Sequence, residues 1–241
     1  MEPLALEITG VSSGYGRVQV LWDVSFSVKQ GSSIVLLGAN GAGKTTLLKV
    51  VVGLVKAWSG DVKVFGEDIG RLNTSHRVRT GIAYMSEQGI FPSLSVKENL
   101  ALGAGRVAKS EVQDRLATVY EMFPELVQRG KSLAGSLSGG QRKMVGISKC
   151  LMSKPKLLIL DEPSSGLSPR YVAEVVEQLQ TLRGVGITMV VAEQNVSFLE
   201  TADSACVLEG GRINFAGGVE EFEGDEALHA AFFGLEGIQE V

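Results

Sequence analysis

Residues 38–45 read Gly-Ala-Asn-Gly-Ala-Gly-Lys-Thr, set between an apolar run at 33–37 and a helix-length apolar stretch at 45–52. A glycine-rich turn that joins a strand to a helix aims several backbone N–H groups at one concave point, where the helix N-terminus adds positive potential. That geometry holds a polyphosphate. Gly38, Gly41 and Gly43 permit the tight backbone, and Asn40 and Ala42 complete the candidate binding loop. Lys44 is placed to reach the β- and γ-phosphates, Thr45 to offer its hydroxyl to Mg²⁺, and Thr46 to contact phosphate next. A turn that merely connects strand to helix does not require Lys followed by Thr. Binding follows from this loop; hydrolysis does not follow from it alone.

The rest of the pattern is α/β. Strand-like runs at 4–11 and 22–28 precede the loop and suggest an antiparallel sheet beside a parallel one, and 61–65 and 82–85 add further strands. From 95 to 133 the chain turns to charged helical stretches (96–100 and 110–123) broken by glycines, which predicts a small helical subdomain. Helix 138–153, strand 157–160, helix 169–183, strand 187–192, helix 195–201 and strand 204–209 follow, then a hairpin at Gly210-Gly211 and a helical tail. Val172, Val175, Val176, Leu179 and Leu182 make one apolar face, so helix 169–183 is expected to cover the sheet. One domain over 1–241 is expected, with 1–94 and 134–241 as the core.

Asp161 and Glu162 end the apolar strand at 157–160, at the carboxyl edge where a parallel sheet meets its ligand. Adjacent side chains on a strand point in different directions, so the two carboxylates can divide the work. Asp161 is the candidate Mg²⁺ ligand and Glu162 the candidate to polarise a water against the γ-phosphate. Taken alone, an acidic turn before Pro163 is ordinary; with a phosphate loop in the same chain it is not.

Composition narrows the partners. A formal charge of −4 and a pI near 5.4 oppose binding to nucleic acid, and no Lys/Arg cluster is interleaved with aromatics. No run of about 18 apolar residues is present, and the opening Met-Glu-Pro-Leu-Ala-Leu-Glu lacks a secretory signal's basic start. A soluble, cytosolic protein is expected. Cys150 and Cys206, without Cys-x-x-Cys spacing, read as reduced core thiols, and His76 and His229 as surface residues.

Leu-Ser-Gly-Gly-Gln at 137–141 suits a helix cap. Together with the phosphate loop and Leu-Leu-Ile-Leu-Asp-Glu-Pro at 157–163 it resembles the ATP-binding subunits of ABC transporters over nearly the whole chain. The resemblance implies a P-loop ABC ATPase core with a mixed, mainly parallel sheet, an N-terminal antiparallel β subdomain and a small helical subdomain. It also implies ATP sandwiched in a head-to-tail dimer, with Ser138, Gly139, Gly140 and Gln141 of one subunit closing over the loop of another. Tyr15, in Gly14-Tyr15-Gly16, matches the aromatic that stacks on adenine; a turn tyrosine is the competing view. Four stretches are similar to the LivF-type subunits of branched-chain amino acid importers: Tyr-Gly-Arg-Val-Gln-Val-Leu from 15, Phe-Pro-Ser-Leu-Ser-Val-Lys-Glu-Asn-Leu from 91, Asp-Glu-Pro-Ser-Ser-Gly-Leu-Ser-Pro from 161 and Ala-Glu-Gln-Asn-Val from 192.

Gln194 stands where most ABC ATPases carry histidine; its amide can bond a γ-phosphate but cannot become cationic. Ser168 replaces the aspartate usual in the loop after the acidic strand. Within Tyr-Met-Ser-Glu-Gln-Gly-Ile-Phe-Pro at 84–92, either Glu87 or Gln88 fills the position that contacts Mg²⁺ or water and relays to the membrane partner. The implied partners are a second, different ATPase subunit, two transmembrane permeases docked at Phe91, Pro92 and Leu94, and indirectly a substrate-binding protein, all at the inner face of the membrane. Urea or amide uptake and lipopolysaccharide export are related alternatives. An ATPase of DNA repair or translation is disfavoured, because only 94 positions separate Lys44 from Ser138 (138 − 44).

Overall fold

The computed structural model describes residues 3–105 and 107–224. Two sheets are formed. Strands β1 (Leu4–Tyr15), β2 (Val18–Lys29), β4 (Ala57–Val64) and β5 (Glu67–Asp68) make an antiparallel sheet in the order β2-β1-β4-β5. Strands β3 (Ser33–Leu37), β6 (Ile82–Met85), β7 (Leu157–Asp161), β8 (Thr188–Glu193), β9 (Ser204–Glu209) and β10 (Arg212–Gly218) make the second, ordered β10-β9-β3-β8-β7-β6. It is parallel except where β10 returns against β9 through the Gly210-Gly211 hairpin, both glycines having positive φ. This is the α/β architecture expected of a P-loop ABC ATPase.

The near-continuous apolar runs of β3, β7, β8 and β9 follow from burial on both faces. Ile34, Leu36, Ile159, Val190 and Cys206 face helix α1 (Lys44–Val51) and the antiparallel sheet. Val35, Leu37, Leu158, Leu160 and Val191 face the opposite way, toward α6 (Gly139–Leu151) and α7 (Pro169–Gly184). As its valines and leucines indicate, α7 buries Val175, Val176, Leu179 and Leu182 there, with Val172 partly covered. Helices α3 (Val96–Ala104), α4 (Lys109–Met122) and α5 (Glu125–Arg129) contribute Val96, Leu100, Val119, Phe123 and Leu126 to this same core.

Several boundaries differ from expectation for local reasons. β1 continues to Tyr15 because a bulge after Ile8, with Gly10 at φ 63°, lets the strand bend and pair again. β4 begins at Ala57 and ends before Phe65, which has φ 52°. Residues 196–201 form a 3-10 turn rather than an α-helix: Asn195 Oδ1 accepts from Ser197 N at 2.9 Å, a local bond that competes with helical pairing. Helix α2 (Thr74–Arg79) escaped the apolar-periodicity reading. It is capped by Asn73 and carries buried Arg77, whose guanidinium donates to the carbonyls of Val50 at 2.6 Å and Val51 at 2.8 Å, closing the C-terminal end of α1. The chain ends its described course in α8 (Val219–Gly224); the remainder of the expected helical tail, and His229, lie outside the described residues.

Candidate active site

The phosphate loop lies between β3 and α1. Gly41 and Gly43 have φ of 81° and 109°, values that strain any residue with a Cβ. Gly43 occupies the cap position of α1 without a side-chain cap, leaving the first-turn amides of that helix for an anion. The Lys44 ammonium is 3% exposed and curls into the loop. It donates to Gly38 O at 2.7 Å and Ala39 O at 3.2 Å and lies 3.3 Å from Glu162 Oε1. A cavity of about 290 Å³ opens over Gly41, Gly43, Lys44, Thr45, Thr46 and Glu162. Tyr15 stands at its edge, half exposed, with its hydroxyl accepting from Thr46 Oγ1 at 3.4 Å.

Asp161 is the last residue of β7 and, by strand alternation, faces α1. Its Oδ1 accepts from Thr45 Oγ1 at 2.9 Å and its Oδ2 from the Tyr84 hydroxyl at 2.8 Å. Burial raises the Asp161 pKa, against the opposing effect of both hydrogen bonds, and burial with the facing carboxylate raises that of Tyr84. The hard oxygens of Thr45 and Asp161 fit Mg²⁺, which takes one or two protein ligands and completes its shell with phosphate and water. No cluster of three or more His, Cys, Asp or Glu side chains able to hold a metal exists among the described residues.

Glu162 adopts φ 48°, so the chain turns sharply and its carboxylate faces Lys44 instead of following Asp161 into the sheet. Its N–H donates to Ala192 O at 2.9 Å, bringing the end of β7 to the end of β8, where Gln194 is exposed. Glu193 was not recognised from sequence as part of this site. It is 2% exposed; Oε1 accepts from Ser164 N at 2.7 Å and Oε2 from the N–H groups of Gln194 at 3.1 Å and Asn195 at 3.4 Å. It therefore ties the loop after Glu162 to the turn that follows β8. Tyr84 and Lys143 were also missed: a tyrosine on a strand and a lysine on an amphipathic helix carry no local signal.

The signature sequence opens α6. Ser138 Oγ accepts from Gln141 N at 3.3 Å and Gln141 Oε1 accepts from Ser138 N at 3.2 Å, a reciprocal helix cap. Gly140 packs against Tyr171, whose Cδ1 would lie 2.3 Å from an added Cβ. None of Ser138, Gly139, Gly140 and Gln141 lines the cavity over the phosphate loop. Glu87 and Gln88 are exposed in the turn after β6; Glu87 Oε1 accepts from Ser165 Oγ at 3.0 Å and the Gln88 carbonyl from Ile90 N at 2.6 Å.

Beyond this turn, Phe91 and Pro92 are exposed and Leu94 is half-buried. Phe91 joins Leu54, Val78 and Leu102, all exposed apolar side chains, around a cavity of about 350 Å³. Asn99, fully buried, holds the loop: it accepts from Phe91 N at 2.8 Å and donates to Phe91 O at 3.0 Å and Ser95 O at 3.0 Å. Cys150 and Cys206 are buried and their thiol pKa values are pushed up to about 12, so they are inert core groups. His76 is an exposed residue in the first turn of α2, bonded to the capping Asn73.

Residues 21–165 match the family model described as ABC transporter. The chain belongs to the ABC transporter ATP-binding family. It is 44% identical over 210 residues to the high-affinity branched-chain amino acid transport ATP-binding protein BraG of Pseudomonas aeruginosa, spanning 86% of this chain and 90% of that protein. It is 36% identical to the probable LivF of Archaeoglobus fulgidus, spanning 95% of this chain and 99% of that protein. Among solved structures, the ADP conformation of the ABC transporter cassette MJ1267 superposes with a TM-score of 0.83 at 26% identity, covering 96% of this chain and 99% of that one. The ABC ATPase is thus a nucleotide-binding cassette, and no helix among its described residues is long and apolar enough to cross a membrane.

Proposed function

We propose that this ATPase energises an importer of branched-chain or other hydrophobic amino acids from the inner face of the membrane. The observation that carries the reading is that Lys44, Thr45 and Glu162 line one cavity, with Asp161 bonded to Thr45 behind it, while the signature at 138–141 lies outside it. A site complete in all but its signature is completed by a second subunit's, in a head-to-tail pair. The relatives named for branched-chain amino acid transport support the cargo class.

When bound, Mg²⁺ neutralises charge on the β- and γ-phosphates. Thr45 and Asp161 would hold it. Lys44 leaves the loop carbonyls and Glu162 for the phosphates, and the freed Glu162 carboxylate orients a water and takes up its proton as that water attacks the γ-phosphorus, while the bond from that phosphorus to the β–γ bridging oxygen breaks and ADP departs with the electron pair. Tyr15 covers the adenine, and Thr46 contacts phosphate beside the amides of 38–43. Gln194 offers its amide to the γ-phosphate, so a pair formed with a different ATPase subunit has two unequal sites. Glu87, through Ser165, links the turn after β6 to the loop after Glu162, which favours it over Gln88 as the relay. Helices 96–129 act as a small subdomain, and the groove around Phe91 receives one of two permeases fed by a substrate-binding protein.

Uptake of labelled leucine by cells lacking this chain tests the reading. Restoration by the intact chain but not by Lys44→Ala is the expected result; normal leucine uptake without the chain overturns the cargo assignment.

A further inference from the structure

The left-handed backbone of Glu162 is uphill for a residue that carries a side chain, so something must hold it. One restraint is the N–H bond to Ala192 O. A second is the turn bond from Ser165 N to Glu162 O at 3.2 Å, and a third comes from α6: the ammonium of Lys143, 8% exposed, donates to Glu162 O at 2.9 Å and to Glu87 O at 2.9 Å. A buried ammonium is costly unless its protons are well used; burial depresses the Lys143 pKa, against the charges of Glu87, Glu193, Glu162 and Asp161. Packing alone would be served by an apolar side chain of the same length. What the amine adds is a fixed distance between two backbones.

We propose that Lys143 is a positioning residue for hydrolysis, fixing the Glu162 backbone and coupling it to the turn at Glu87. The proposal rests on the reading of Glu162 as the water-orienting carboxylate. The same helix grips the same loop a second time: Lys149 donates to the Gly89 carbonyl and lies 5.0 Å over the Phe91 ring. Helix α6, with Ser138 at its start, therefore spans from Phe91 at the apolar groove, through Lys149 and Lys143, to Glu162. A displacement of the loop at Phe91 reaches the carboxylate through these amines. Lys143 touches neither the phosphate loop nor the cavity above it, so nucleotide binding does not depend on it.

The test is steady-state ATP hydrolysis and equilibrium binding of a fluorescent ATP analogue by the full chain with Mg²⁺, comparing wild type, Lys143→Met, Lys143→Arg and Glu162→Gln. Lys143→Met is expected to lower kcat about tenfold or more while KM and analogue affinity stay within about twofold, the signature of a lost transition-state interaction. Lys143→Arg, which keeps donors for both carbonyls, is expected to recover most of kcat. Equal kcat for Lys143→Met and wild type, or a loss that Lys143→Arg does not relieve, overturns the proposal. Should Lys143→Met fail to fold, Lys143→Gln, which reaches one carbonyl only, is expected to fall between wild type and Glu162→Gln; wild-type kcat there overturns it equally. Full hydrolysis by Glu162→Gln instead sinks the reading of that carboxylate, a result distinct from failure at Lys143.

Discussion

The Thr45 hydroxyl donates to Asp161 Oδ1 at 2.9 Å, joining the first turn of α1 to the last residue of β7. The fold itself therefore holds the two candidate Mg²⁺ ligands side by side. Tyr84, on the neighbouring strand, fixes the other carboxylate oxygen at 2.8 Å.

Tyr84→Phe keeps the ring and removes that donor. Stability is expected to fall by about 1 kcal/mol, and the Mg²⁺ concentration for half-maximal hydrolysis to rise several-fold. Metal titration of ATPase activity checks this; an unchanged midpoint rules out a role for Tyr84 in placing Asp161. EDTA is expected to abolish turnover in both proteins.

Glu162→Gln removes the partner that Lys44 holds at 3.3 Å. Hydrolysis is expected to drop by about 10² or more, the usual range for a lost general base. ATP affinity is expected to stay level or tighten, because nucleotide no longer competes with the carboxylate for Lys44. Titration calorimetry beside phosphate release checks both halves.

Glu193 supplies a pH dependence. Burial raises its pKa above the ordinary value of 4.5, only partly offset by N–H donors from Ser164, Gln194 and Asn195. The folded protein therefore holds this proton more tightly than the unfolded chain, and stability falls as pH rises from the unfolded value through the folded one. Glu193→Gln has no proton to lose. Its Tm relative to wild type is expected to increase from about pH 4.5 upward; parallel Tm curves from the two proteins contradict the sign.

Asn99 holds the loop that carries Phe91 from a fully buried position. Asn99→Ala strands the Phe91 amide and carbonyl and is expected to cost about 1–3 kcal/mol. Basal ATP binding is expected to persist while co-purification with the permeases fails. Denaturant unfolding and affinity capture from membranes check the pair of outcomes.

Much of the site was legible because its chemistry is local. Strand 33–37, the glycine loop and Lys44-Thr45 form one contiguous run whose geometry follows from residue type, and Asp161-Glu162 is marked by ending an apolar strand. The residues that aim those groups were not legible. Tyr84 and Glu193 matter only because the parallel order β8-β7-β6 places them beside Asp161 and Glu162, and Lys143 only because α6 brings it to the Glu162 carbonyl; neither strand order nor helix docking is written in any one segment. The same holds for the fold: α7 was readable from its apolar face, whereas α2 is a single polar turn defined by Asn73 and by Arg77 reaching the end of α1. The 3-10 turn at 196–201 was read as a helix because the side chain of Asn195 competes with the backbone in a way that apolar periodicity does not register.

In the proposed head-to-tail pair, ATP held at Lys44 is closed over by the Ser138 cap of another subunit. Sedimentation velocity on the Glu162→Gln protein with and without Mg-ATP tests it most directly, with Ser138→Arg added in the same background. The expected result is a dimer that forms only with Mg-ATP and is lost with Ser138→Arg, although the double variant still binds ATP. A dimer that survives Ser138→Arg, or that forms equally well without nucleotide, contradicts the claim.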